Sequence, residues 1–145
     1  MLLGTYQAKF ASGHRVAIPS QFRKELGQSC ILARWYEGCL VLIGVESWNA
    51  LYKRLTGDQA LLVNPIRDTE RFILGSAYNA FPDDQGRIVI PEKLIVYSGL
   101  TDDIYFIGLG EKVEIWDKNA WEAKEKEVER DADKFLEELA KRNEK

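Results

Sequence analysis

Hydrophobic and polar positions alternate over short runs, change to helical spacing, and then repeat the whole order later in the chain. Strands predicted over about 3–10 and about 76–82 each lead into a polar turn, Ala11–His14 or Pro82–Gly86, where Asp, Ser, Gly and Pro supply turn chemistry. A short strand follows, then Pro19 or Pro91, whose fixed φ and missing N–H suit the first turn of a helix. In the first copy that brief helix carries Phe22 and Leu26 as an i, i+4 pair, and Gly27 or Gly99 ends the helix in each copy. Hairpins come next, Ser29–Arg34 with Leu40–Val45, then Ile104–Ile107 with Lys112–Trp116 around Gly108-Leu109-Gly110. Closing helices begin near Glu46 and Lys118.

The two halves are a repeat. Gly13-His14-Arg15-Val16-Ala17-Ile18-Pro19 aligns with Gln85-Gly86-Arg87-Ile88-Val89-Ile90-Pro91 at an offset of 72 residues. Each unit is too small to bury a good core by itself, so the copies are expected to interlock. The organisation predicted is a first copy over 5–50, a helical linker over 51–75, a second copy over 76–121 and a helical tail over 122–145. Asn64-Pro65 marks the start of a linker helix over Ile66–Leu74. In the tail Trp121, Val128 and Phe135 recur every seven residues with Ala132, Leu136 and Leu139 alongside, which predicts one amphipathic helix over about 118–142. Its stripe is expected to pack on the core or on a neighbouring subunit. The negative charge of the tail speaks against a membrane surface.

Composition narrows the class. With 145 residues, 46% hydrophobic and 30% charged, the chain is one compact domain or two small ones sharing a core, and no collagenous or largely disordered protein. The longest nearly apolar run, Cys39–Val45, is far short of the roughly 20 residues that a membrane span needs. Met1–Tyr6 lacks the basic start of a secretory signal. Cys30 and Cys39 cannot build a disulfide framework and are expected to fill the core as reduced thiols in the cytoplasm. Charge is unevenly placed: residues 1–56 hold seven Lys/Arg against three acids, whereas residues 76–119 hold four against eight. The whole chain, at −3, does not look like a nucleic-acid binder, but its first third does.

Arg15 and Arg87 stand at equivalent points just beyond the two turns, where a guanidinium can fork to a phosphate or to a guanine edge. Arg87 has Asp83 and Asp84 within reach and is read mainly as bracing its own turn, with DNA contact secondary. Arg15 has no acid in its turn and is read as facing DNA. Lys9, Arg23, Lys24 and Arg34 are the candidate phosphate contacts around it, weighed against an ordinary solvated face. His14, the single histidine, either touches DNA or fills the turn. Trp48 and Trp121, matched between copies, are assigned to packing at the ends of a barrel. Cys30, Cys39 and His14 lack zinc-site spacing, and neither a nucleophile elbow nor a phosphate-cradling glycine loop is present. No metal, cofactor, small-molecule substrate or enzymatic activity is expected.

These residues resemble the MraZ family of bacterial transcriptional regulators, built from two SpoVT-AbrB domains. Asp83-Asp84-Gln85-Gly86-Arg87-Ile88-Val89-Ile90-Pro91 matches the family pattern D-x-[K/Q]-G-R-x-x-[L/I]-P throughout. Met1–Tyr6, Phe22-Arg23 and Val113–Asp117 followed by Trp121 also fit, so the resemblance covers about residues 1–122. In the first copy Ala11, Gly13 and His14 replace the family's Asp, Lys and Gly, which implies an altered affinity or site preference. The resemblance implies an α+β fold: tandem SpoVT-AbrB repeats in an intrachain swapped-hairpin β-barrel, with flanking helices and a long C-terminal helix. It implies a cytoplasmic, nucleoid-associated regulator that binds short direct repeats in double-stranded DNA near promoters of cell-division and cell-wall genes. Its subunits are expected to join as a homo-oligomeric ring, octamer-like or larger. The alternative is a ring-forming protein-interaction scaffold with weak or lost DNA binding.

Overall fold

A computed structural model describes residues 1–57 and 64–143, so residues 58–63 of the expected linker and 144–145 of the tail lie outside the described residues. Among the described residues eight strands and five α-helices follow in the order β1 (Leu2–Lys9), β2 (Arg15–Ala17), α1 (Ser20–Leu26), β3 (Cys30–Arg34), β4 (Leu40–Gly44), α2 (Val45–Thr56), α3 (Asn64–Ile73), β5 (Tyr78–Ala80), β6 (Arg87–Val89), α4 (Glu92–Ser98), β7 (Asp103–Gly110), β8 (Lys112–Asp117) and α5 (Lys118–Asn143). Pro19 and Pro91 stand at the N-caps of α1 and α4, one residue earlier than the first-turn position expected of them.

The copies interlock by exchanging strands. The main sheet is antiparallel with order β1-β7-β8-β4-β3-β5, and β2 and β6 form a separate two-stranded ribbon. First-copy β1 pairs second-copy β7 from Leu2↔Gly110 to Lys9↔Asp103, while second-copy β5 pairs first-copy β3. Ladders β4–β8 and β2–β6 also cross between copies. The closed swapped-hairpin barrel that the resemblance implied is not what is observed. β1 and β5 lie at opposite edges with four strands between them, and β5 has only three residues with which to pair.

Two cores explain the sequence pattern. Leu32, Leu40, Leu42, Phe106 and Ile115 face a cluster roofed by the ribbon (Val16, Ile88) and by Phe22 and Leu94 of the short helices. Ile31, Ala33, Val41, Ile43, Ile107 and Trp116 face a second cluster under α2, α3 and α5. Strands covered on both faces carry consecutive apolar residues, which is why the β3 and β4 segments read as unbroken runs. Trp48 and Trp121 both pack on this second cluster, so their matched roles lie beneath the sheet and not at barrel ends. Cys30 and Cys39 are buried free thiols in different clusters. Burial pushes Cys30 up to about 11 and raises Cys39 further.

β7 is longer than its hairpin demands. Its ladder with β8 ends at Gly108↔Val113, but β1 continues alongside to Gly110, so the expected turn glycines Gly108 and Gly110 are strand residues towards β1. α5 matches the predicted helix, and Asp117, the one buried charged residue among those described, caps its start. Its carboxylate accepts from the Asn119 amide at 3.2 Å and from the Thr101 amide and hydroxyl at 3.1 and 2.6 Å.

Candidate nucleic-acid interface

The β2–β6 ribbon positions the two arginines. Alternation sends Val16 and Ile88 into the core and leaves Arg15, Ala17, Arg87 and Val89 on the outer face. Register places Arg15 opposite Val89 and Ala17 opposite Arg87, so the arginines lie diagonally across one small face. Val89 is 56% exposed there, an apolar side chain held in water. Each end of the ribbon is closed by the other copy, since the Ile18 amide donates to Gly86 O at 2.9 Å and the Ile90 amide to His14 O at 3.0 Å.

The turns behind the arginines are equivalent in backbone and different in chemistry. The Ala11 amide donates to Arg15 O at 2.7 Å as the Asp83 amide does to Arg87 O at 2.9 Å. His14 and Gly86 both have positive φ. In the second turn Asp83 accepts at 2.9 Å from the Gln85 and Arg87 amides and, through its other oxygen, from Arg87 Nε. The Arg87 amide first, then its guanidinium, holds the Asp83 carboxyl below its ordinary value, so the brace is intact at neutral pH and is lost only in acid. Ala11 offers the first turn no such acceptor. Among the described residues the Arg15 guanidinium has no hydrogen bond or ion pair.

Strand exchange redistributes the remaining candidates. Arg23 and Lys24, on first-copy α1, line an open cleft with Asp83, Asp84 and Gly86 of the second turn. Arg23 donates from Nε to Ile18 O at 2.7 Å and lies across Gly86, where a methyl group would overlap its guanidinium. The matching cleft behind Arg15 is lined by Phe10, Ala11 and His14 with Ile95 and Thr101. The His14 ring lies 6.1 Å from Phe10, which agrees with turn filling. Lys9 sits at the end of β1, 3.8 Å from Asp103 and well exposed. Arg34 is committed elsewhere: its Nε donates to Phe72 O at 2.9 Å and its guanidinium lies 4.6 Å from the Phe72 ring centre. The expected basic cluster around Arg15 is therefore divided, because α1 crosses to the other copy's turn. Ala17 and Val89 share the arginine face and escaped the sequence reading, although the alternation in Arg87-Ile88-Val89 carries that signal.

Comparison with known proteins identifies the family. The family described as "MraZ protein, putative antitoxin-like" matches residues 73–143. "Transcriptional regulator MraZ" of Acetivibrio thermocellus is 36% identical over 140 residues, covering 97% of this chain and 97% of that protein. The chain belongs to the MraZ family. The MraZ of Bifidobacterium longum is 34% identical over 85% of this chain and 81% of its own length, and that of Caldanaerobacter subterraneus 35% over 97% and 94%. The solution structure of PHS018 from Pyrococcus horikoshii aligns over 79% of this chain and 88% of its own at 14% identity and a TM-score of 0.32, too distant to support an argument. Among the described residues no helix is long and apolar enough to cross a membrane.

Proposed function

We propose that the chain is a sequence-specific DNA-binding transcription regulator that inserts the outer face of the β2–β6 ribbon into the major groove. The observation that carries the reading is the diagonal pair Arg15 and Arg87 on a two-stranded ribbon with Val89 and Ala17 between them. A major groove admits such a ribbon, arginine reads guanine O6 and N7, and small apolar side chains meet thymine methyls. Arg15 makes the principal base contact, Arg87 is braced by Asp83 and secondary, and Lys24 with the free end of Arg23 reaches phosphates. Lys9 and His14 are peripheral, and Arg34 holds α3. Relatives named transcriptional regulators over nearly the whole chain support the class.

The finer reading is a head-to-tail ring, octamer-like or larger, that engages short direct repeats near promoters of cell-division and cell-wall genes in the cytoplasm, on the nucleoid. Support comes from two unlike open sheet edges, β1 and β5, because a head-to-tail contact needs two different surfaces on each subunit. Several weak sites engaging one DNA gain affinity by avidity. Fluorescence anisotropy with a duplex from the chain's own upstream region and a scrambled duplex, at several salt concentrations, tests the core of the proposal. Tighter binding to the upstream duplex with a steep salt slope is expected. Equal or absent binding by a folded oligomer rejects the proposal and leaves the scaffold alternative.

A further inference from the structure

α5 outlasts the body it packs on. Trp121 meets Trp116 at 5.6 Å and Lys124 pairs with Glu37 at 2.7 Å, and beyond Lys124 no described α5 side chain makes a hydrogen bond, ion pair or ring contact outside its own helix. Yet the free length is amphipathic. Val128, Ala132, Phe135 and Leu139 recur at spacings of four, three and four, the seam of a coiled coil, and Phe135 and Leu139 are 45% and 55% exposed. The same spacing extends the seam to Glu125 at one end and Arg142 at the other, neither with an ion-pair partner among the described residues.

We propose that residues 125–142 of α5 pair antiparallel with the same segment of a second copy. Antiparallel layering about the point between Asp133 and Lys134 sets Glu125 against the partner copy's Arg142, Val128 against its Leu139, and Ala132 against its Phe135. Each layer occurs twice through the two-fold axis, joining opposite charges and setting small against large side chains. Parallel pairing would place Glu125, Arg142 and Phe135 each against its own copy. The wider charge pattern agrees: residues 125–133 carry five acids and two bases, residues 134–143 three bases and two acids, so only the antiparallel arrangement brings the acidic half to the basic half. In this register the partner copy's Asn143 comes beside Lys124, where α5 leaves the body, so the free length of each helix lies along that of the other. One like-charge contact, Asp131 with the partner copy's Glu138, falls on the solvated rim, where such pairs are weak. A two-fold contact is distinct from the repeated head-to-tail contact of a ring, so this pairing joins ring to ring or, without a ring, subunit to subunit.

The test is sedimentation equilibrium of the full chain and of E125R, R142E, E125R/R142E and F135E, reading the step that doubles the mass. Each single charge reversal turns two attractions into two repulsions and weakens that step about tenfold. The double reversal restores it to within about threefold of wild type by the same arithmetic, and F135E removes it. All three substituted positions lie on the free length, so circular dichroism and melting of the body are expected to stay at wild-type values. A mass-doubling step absent from wild type at 100 μM, unaffected by F135E, or left weak in the double reversal overturns the proposal. Doubling from the monomer in place of a ring would contradict the ring alone.

Discussion

Arg15 and Arg87 share a face and a backbone setting, but one carboxylate separates their roles. The Asp83 carboxylate accepts from both the amide and the Nε of Arg87, whereas Ala11 gives Arg15 no carboxylate in its turn. Arg15→Ala is expected to keep fold and oligomer size and to weaken specific binding by about 1–3 kcal/mol per engaged site, the worth of a bidentate base contact. Arg87→Ala is expected to lower the melting temperature and spare most of the affinity per folded molecule. Lys24→Ala should weaken all sequences alike and flatten the salt slope. Anisotropy on specific and scrambled DNA with parallel melting curves reads all three, and a harmless Arg15→Ala beside a stable, non-binding Arg87→Ala would make Arg87 the principal base contact of the shared face. The thiols give a separate check. Burial holds Cys30 at about 11 and Cys39 higher, so neither is a thiolate at pH 8. Both should resist iodoacetamide in the native protein and react only on unfolding, as peptide mass mapping would show; rapid native labelling would contradict their burial.

At the scale of elements, the exchanged strands and α5 carry the consequences. β1 passes so close to Gly108 that a methyl there would stand 2.7 Å from the backbone of Leu2 and Leu3. Gly108→Ala should therefore push β1 off β7 and destabilise by about 1–3 kcal/mol, the range for overpacking a tight contact, in a denaturant titration. Asp117→Ala removes the cap of α5 and leaves the Thr101 donors without their acceptor, for an expected loss of about 2–3 kcal/mol. Along α5 the aromatic residues divide. Trp121 packs on Trp116, and its truncation should cost stability. Phe135 is exposed, so Phe135→Ala should leave the melting temperature near wild type and act on association. The tail periodicity made this helix legible in the sequence, but it did not say where the body ends beneath it. That boundary, at Lys124, depends on how far the sheet and the turn carrying Glu37 reach.

Across the whole molecule, exchange between copies turns an uneven charge distribution into a mixed surface. The basic first third sends Arg23 and Lys24 to the second copy's turn and Arg34 to the end of α3, leaving the turn before Arg15 with a mixed cleft of Phe10, His14, Ile95, Thr101 and Asp102. Native mass spectrometry under reducing conditions should show species well above the 16.6 kDa subunit, and a clean monomer at micromolar concentration would remove the oligomeric reading.

The repeat, its order of strand, turn, strand, helix, hairpin and helix, the hairpin that became β3 and β4, and the arginine at each turn were all readable from the sequence. Each is set by local periodicity or by a residue type that a turn or cap requires. The open sheet in place of a barrel, the crossing of α1 to the opposite turn, and the commitment of Arg34 to Phe72 were not. Those depend on which copy supplies each partner. Two near-equivalent repeats offer the same local pattern for pairing within or between copies, and only the burial of a shared core chooses between them.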